Sequence, residues 1–176
     1  MRTLRWNTLG GALVVAALTC VQSGRTAPES SNIERLQQLE PGIVAFVARC
    51  DDDVVKRGRG LTDAEAALAR EVGVAHPERV RILVAPDFPE PDDPQLAQFL
   101  DRLGPAHPVA ETTGYGIQLT LRVATSRRIL LHELTHVGQI ERLGAEGFWH
   151  AYLVELVTVG YWHSTFEEEA RDNEHR

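Results

Sequence analysis

The chain is short of cysteine, methionine, positive charge and long apolar runs, and each shortage closes a route. Its 176 residues contain two cysteines, Cys20 and Cys50, too few for a disulfide scaffold. Methionine is confined to Met1, a shortage that matters once the chemistry is considered. Asp and Glu number 25 against 18 Lys and Arg, giving a formal net charge of −7. No basic stripe gathers anywhere, so no nucleic-acid partner is expected. The apolar stretch at residues 9–20, LGGALVVAALTC, falls well short of the roughly 20 residues that span a bilayer. What is present, 43% hydrophobic and 24% charged residues, suits one globular domain with a single core and excludes wholesale disorder.

That apolar stretch follows Arg2 and Arg5, and no acid occurs before Glu29. A basic start and a short apolar run read as a secretory signal over residues 1–20. The same composition also suits an organelle transit peptide or an uncleaved anchor. Ala17-Leu18-Thr19-Cys20 resembles a bacterial lipoprotein box, with Ala17 and Thr19 where Leu and a small residue are usual. The expectation is an exported protein, periplasmic, extracellular or attached to a membrane through a lipidated Cys20. Cys50 is expected to be a small buried hydrophobe, not a nucleophile.

Residues 21–31 read as a flexible spacer and 32–176 as one domain. Ser31 and Glu34 form a capping-box pattern that starts a helix near Asn32, and Pro41-Gly42 is expected to interrupt it. Thr62 and Glu65 form a second box, opening a helix to about Val72. Residues 79–85 read as a strand, and the proline-rich 86–94 as an irregular loop. Asp93-Pro94 starts a helix expected to end at Gly104. In residues 115–124, Ile117, Leu119, Leu121 and Val123 alternate with Gln118, Thr120 and Arg122, which predicts a strand with one buried and one open face. Helices follow over about 126–143, 146–159 and 165–173, the first stopped by Gly144. Together these elements make an α+β fold.

The chemistry concentrates in His132-Glu133-Leu134-Thr135-His136, an HExxH motif within an apolar-periodic helix. Residues i and i+4 share a helix face, so the two imidazoles can grip one Zn²⁺. Glu133 lies one step round, placed to act on a water as general base. Two histidines hold zinc poorly, so a third ligand must come from Glu141, Glu146, His150, Glu155, His163, Glu167, Glu168 or Glu169. The metzincin pattern fails, because Gln139 and Arg142 stand at its Gly and His places and no Met follows. Glu141 points away from the pair, so the chain must turn at Gly144 and return.

The segments HELTHVGQIERLG and AYLVELVTVGYWHSTFEEEA resemble gluzincin-clan zinc metallopeptidases, in particular minigluzincin-like and other small bacterial HExxH proteins. The likeness covers about residues 79–173. It implies a zincin-like fold, with a small twisted sheet and an exposed edge strand packed on the HExxH helix. It also implies Glu167 of Glu167-Glu168-Glu169-Ala170 as third zinc ligand. Four residues on, where many gluzincins carry an acid that orients a zinc-bound His, stands Arg171. A register shifted by one would pair Glu168 with Asp172 instead. The clan's substrate lies antiparallel on an edge strand, which implies Gly116, Ile117, Gln118 and Leu119 as substrate-binding residues. A protected sheet edge with no ligand is the plainer alternative.

Tyr161 and His163 precede Glu167 and could face the metal as oxyanion donors. His163 is also the second choice as third ligand, and Tyr161 could instead be core. Trp149, Tyr152, Leu153 and Leu156 read as the core face of their helix. His76, His107 and His175 read as inert. The sequence thus points to zinc-dependent hydrolysis of a peptide or protein substrate. Its rivals are a non-catalytic zinc protein that binds a partner along its edge strand, and a structural protein with a chance motif.

Overall fold

The computed structural model describes residues 27–105 and 108–176. The expected signal, Cys20, residues 21–26 of the expected spacer and His107 lie outside them. The first helix, α1 (Ala27–Arg57), leads into β1 (Arg59–Gly60), α2 (Asp63–Glu71) and β2 (Arg81–Val84). Then come α3 (Pro94–Leu100), β3 (Ala110–Thr112), β4 (Gly116–Leu119), α4 (Arg127–Leu143), α5 (Ala145–Thr158) and α6 (Thr165–Asn173). The fold is α+β, with a mixed four-stranded sheet ordered β1-β2-β4-β3. Among the described residues no helix is long and apolar enough to cross a membrane.

The capping signals largely hold. Thr62 and Glu65 form the reciprocal box at α2, and the Asp93 side chain accepts from Gln95 N at the start of α3. The α-helix α3 ends at Leu100, and turns carry the chain on to Gly104.

The expected break at Pro41 does not occur. The helix begins at Ala27, inside the expected spacer, and runs through Pro41 for 31 residues. An interior proline costs roughly 3 kcal/mol. Leu36, Ile43, Phe46, Val47, Cys50 and Val54 are all buried along one stripe of α1. At about 1.5–3 kcal/mol for each large apolar side chain, their burial outweighs the proline. Cys50 is buried and free, as expected.

The sheet is covered on both faces. Ile82, Ile117 and Leu119 pack with Leu131, Leu134 and Val137 of α4. On the other face Val54 of α1 lies against Gly116. This overturns the one-face reading of the 115–124 alternation: all four β4 residues are buried, and the strand stops at Leu119. Leu121 is 77% exposed in the turn leading to the Ser126 cap of α4.

The exposed-edge expectation is overturned as well. β4 runs parallel to β2 and antiparallel to β3, so both its edges are paired. Gly116 donates its N–H to Asp51, and Gln118 donates its side-chain N–H to the Asp87 carbonyl. Gly116, Ile117, Gln118 and Leu119 therefore have no free edge for a peptide. The outer strand beside α4 is β3, because the 113–116 turn folds it back along β4.

Candidate metal centre

α4 is capped by Ser126 and buries an unbroken run from Leu130 to Ile140, covered by the sheet, α5 and α6. Gly144, at φ 72, ends it and lets α5 turn back. α6 is fixed at its start by Glu155 of α5, whose carboxylate accepts from Ser164 Oγ, Thr165 N and Thr165 Oγ1 at 2.7–2.8 Å. That cap sets the rotation of α6 and points Glu167, 1% exposed, at α4.

His132, His136 and Glu167 converge there. The two Nε2 atoms are 3.2 Å apart. Glu167 Oε2 lies 3.3 Å from His132 Nε2, and Oε1 lies 3.4 Å from His136 Nε2. A tetrahedral ion with bonds of about 2.0–2.1 Å holds its ligand atoms about 3.3–3.4 Å apart. The Nε2–Nε2 separation matches one edge of such a polyhedron, and the two Glu167 oxygens lie at similar distances, one from each imidazole; one ligand atom from each residue can be chosen with all three within 4.8 Å of one another.

The outer partners set the polarity of each ring. His132 Nδ1 is 3.0 Å from Glu174 Oε1, and a carboxylate can only accept, so Nδ1 carries the proton. Glu174 is held in turn by Arg128 at 2.5 Å. His136 Nδ1 is 2.8 Å from Gln139 Oε1. The Gln139 amide N donates to the Phe166 carbonyl and to Glu169, which is clamped by Arg142. Gln139 therefore presents oxygen, and His136 also donates from Nδ1. Both Nε2 atoms are left as lone-pair donors facing a carboxylate.

Three converging acceptors in a buried site call for a cation. Burial alone would push the Glu167 carboxyl up, but the two facing imidazoles and the hydrogen bond from the Tyr152 hydroxyl hold it well below the ordinary range. Burial disfavours a charged His136, and Glu167 and Glu133 outweigh it, raising its pKa. Glu167 Oε1 accepts from the Tyr152 hydroxyl at 2.6 Å, while the buried Oε2 has no hydrogen-bond partner. The donor set, its spacing and the orphaned Oε2 fit a metal ion, and His132, His136 and Glu167 can hold one.

The other expected residues divide. Glu133 is buried beside the cluster, and its Oε2 accepts from Thr112 Oγ1 of β3 at 2.7 Å. Tyr161 is half-buried near Glu167 and Glu133. Burial first, then the charge on Glu167, raises its pKa, so it is a neutral O–H donor. His163 is exposed and outside the cluster, so Glu167 and not His163 is the third residue of the group. The shifted register fails too, because Glu168 and Asp172 are exposed. Glu141 binds Ala75 N, His76 N and Tyr115 Oη, and His150 pairs with Glu40.

Sequence reasoning missed Glu174, Gln139 and Thr112, and took Tyr152 for core alone. Tyr152 does stack on Phe148, but its hydroxyl donates to Glu167. Gln139 carried a usable signal, three residues after His136 on one helix face. Glu174 and Thr112 carried none. Compared with protein-family models, curated proteins and solved structures, the chain matches none.

Proposed function

We propose that the chain is a zincin-like, zinc-dependent peptidase of gluzincin type. The observation that carries this reading is the buried cluster of His132 Nε2, His136 Nε2 and the Glu167 carboxylate, close enough together to hold one ion, with Glu133 alongside. Zn²⁺ fits best among the biological cations, since two imidazoles and one carboxylate are a common catalytic zinc set. When bound, the ion acidifies water and polarises a carbonyl. Glu133 accepts a proton from the attacking water. As the C–N bond breaks, it passes that proton to the leaving amine. Thr112 holds Glu133 in place for both transfers, and Tyr161 supplies a neutral donor beside it. The substrate backbone is taken up along β3, the outer strand that carries Thr112. The basic start and apolar run of residues 1–20 support export, with Cys20 as a lipidation site.

The test is zinc per chain, measured in the exported form for wild type, Glu167→Ala and Glu133→Gln, followed by a peptide-library digest. One zinc in wild type and in Glu133→Gln, sharply less in Glu167→Ala, and cleavage by wild type alone is the expected pattern. A zinc-loaded wild type that cleaves nothing would leave a zinc protein without turnover.

A further inference from the structure

Thr112 and Thr113 are neighbours at the end of β3, and successive side chains of a strand point to opposite faces. Thr112 donates to Glu133 of α4 at 2.7 Å. Thr113 faces the other way, and its hydroxyl donates to Asp51 Oδ1 of α1 at 3.3 Å. The same Asp51 oxygen accepts the Gly116 N–H at 2.6 Å. Thr113 N donates to the Gly116 carbonyl at 3.0 Å, closing the turn that joins β3 to β4. One carboxylate oxygen of α1 therefore bonds to both limbs of that turn.

The turn is built to receive this carboxylate. A Cβ on Gly114 would stand 2.7 Å from the Asp51 carboxyl carbon, and one on Gly116 would stand 2.9 Å from Oδ1. Glycine at both positions lets Asp51 lie directly on the turn backbone. The helix beneath is firm, because Val47, Cys50 and Val54, within one turn of Asp51, are all buried. β3, by contrast, has three residues and is paired along one edge, Ala110–Thr112 against Ile117–Leu119. A short outer strand frays readily unless its end is tied. This strand carries the hydroxyl that holds Glu133.

We propose that Asp51 is a positioning residue for the general base: it fixes the 113–116 turn, the turn fixes β3, and β3 holds Thr112 against Glu133. The inference rests on the peptidase reading and deepens it. It gives α1, which precedes the residues that resemble zinc peptidases, a part in the reaction as the buttress of the strand beside the metal centre.

The experiment uses the zinc-loaded full chain and compares wild type, Asp51→Ala, Asp51→Asn, Thr112→Val and the Asp51→Ala/Thr112→Val double variant. Zinc per chain, thermal midpoint, amide exchange over residues 110–116, and kcat and KM on a peptide that wild type cleaves are measured. A small misplacement of a reacting group is costly, so Asp51→Ala should keep its zinc and lose about tenfold in kcat. Exchange over 110–116 should quicken while α4 stays protected. Asp51→Asn keeps an acceptor oxygen and should restore most of both. Because Asp51 acts through Thr112, the double variant should be about as slow as Thr112→Val alone. Should Asp51→Ala fail to fold, Thr113→Val removes the longer of the two contacts and should lower kcat by about two- to threefold.

A zinc-loaded Asp51→Ala with a lowered midpoint and unchanged kcat would make Asp51 a stability residue and overturn the proposal, as would unchanged kcat in Thr113→Val where that variant stands in. Losses that multiply in the double variant would overturn the route through Thr112. A zinc-loaded wild type that cleaves no peptide overturns the peptidase reading and the catalytic role of Asp51 with it. Cleavage by wild type separates that case from failure of Asp51 alone, which shows only in the variants.

Discussion

Thr112 Oγ1 donates to the Glu133 side chain at 2.7 Å and lies 3.2 Å from the Glu133 carbonyl. One hydroxyl on the outer strand therefore fixes both the helix position and the rotamer of the proposed general base. Thr112→Val keeps the shape and removes the donor. We expect kcat for peptide cleavage to fall about 10- to 100-fold. KM and zinc content should change little, and Thr112→Ser should restore most of the loss. A KM effect equal to the kcat effect, or no rescue by serine, would make Thr112 a packing residue only.

Glu174 is placed to orient His132, with Arg128 behind it. Removing an outer carboxylate of this kind weakens a metal site by about 10- to 100-fold. Glu174→Ala should show that loss in a competition titration with a metal buffer, and Glu174→Gln, which can still accept from Nδ1, should show less. Unchanged zinc affinity in Glu174→Ala would mean that His132 is oriented by packing.

Glu111 of β3 has its carboxyl raised to about 7, first by burial and then by the charge of Glu133. Its folded value exceeds its unfolded value near 4.5, so folding takes up a proton. The stability this contributes is complete below about pH 4.5 and is lost as pH rises through 7. In the metal-free protein, Glu111→Gln should match wild type at pH 4 and gain on the order of 1–3 kcal/mol by pH 8. Urea unfolding at the two pH values reads this difference. A constant offset would mean that Glu111 does not titrate in that window.

Gly116 begins β4 where α1 crosses it. A Cβ there would stand 2.8 Å from Val54 Cβ and 2.9 Å from Asp51 Oδ1, the oxygen that accepts the Gly116 N–H at 2.6 Å. Backbone and α1 side chains would have to part, so Gly116→Ala should cost about 1–3 kcal/mol. A lowered thermal midpoint with unchanged zinc affinity is the expected outcome. An unchanged midpoint would show that α1 can shift at no cost.

The amphipathic periods, the Thr62 and Asp93 caps, Gly144 and the HExxH spacing are local signals, each set by residues within one or two turns. They made α2 to α6 and the His132–Glu133–His136 face legible in the sequence. The same locality explains the failures. Pro41 reads as a break until six buried neighbours on α1 are counted against it. Residues 115–124 read as a half-exposed strand until α1 is seen covering the second face.

What the sequence determined by itself is therefore a helix that places two imidazoles and a carboxylate on one side, followed by a turn and two more helices. The tertiary structure decided the remainder. The Glu155 cap rotated α6 so that Glu167, and neither Glu168 nor His163, meets the histidines. Strand order put β3 at the outer edge in place of β4, and the packing of α6 on α4 brought Glu174 to His132 across 42 residues. Such choices turn on the rotation of one element against another. A one-residue change in helix phase moves a side chain by about 100° at almost no local cost, so only the packed core can select among them.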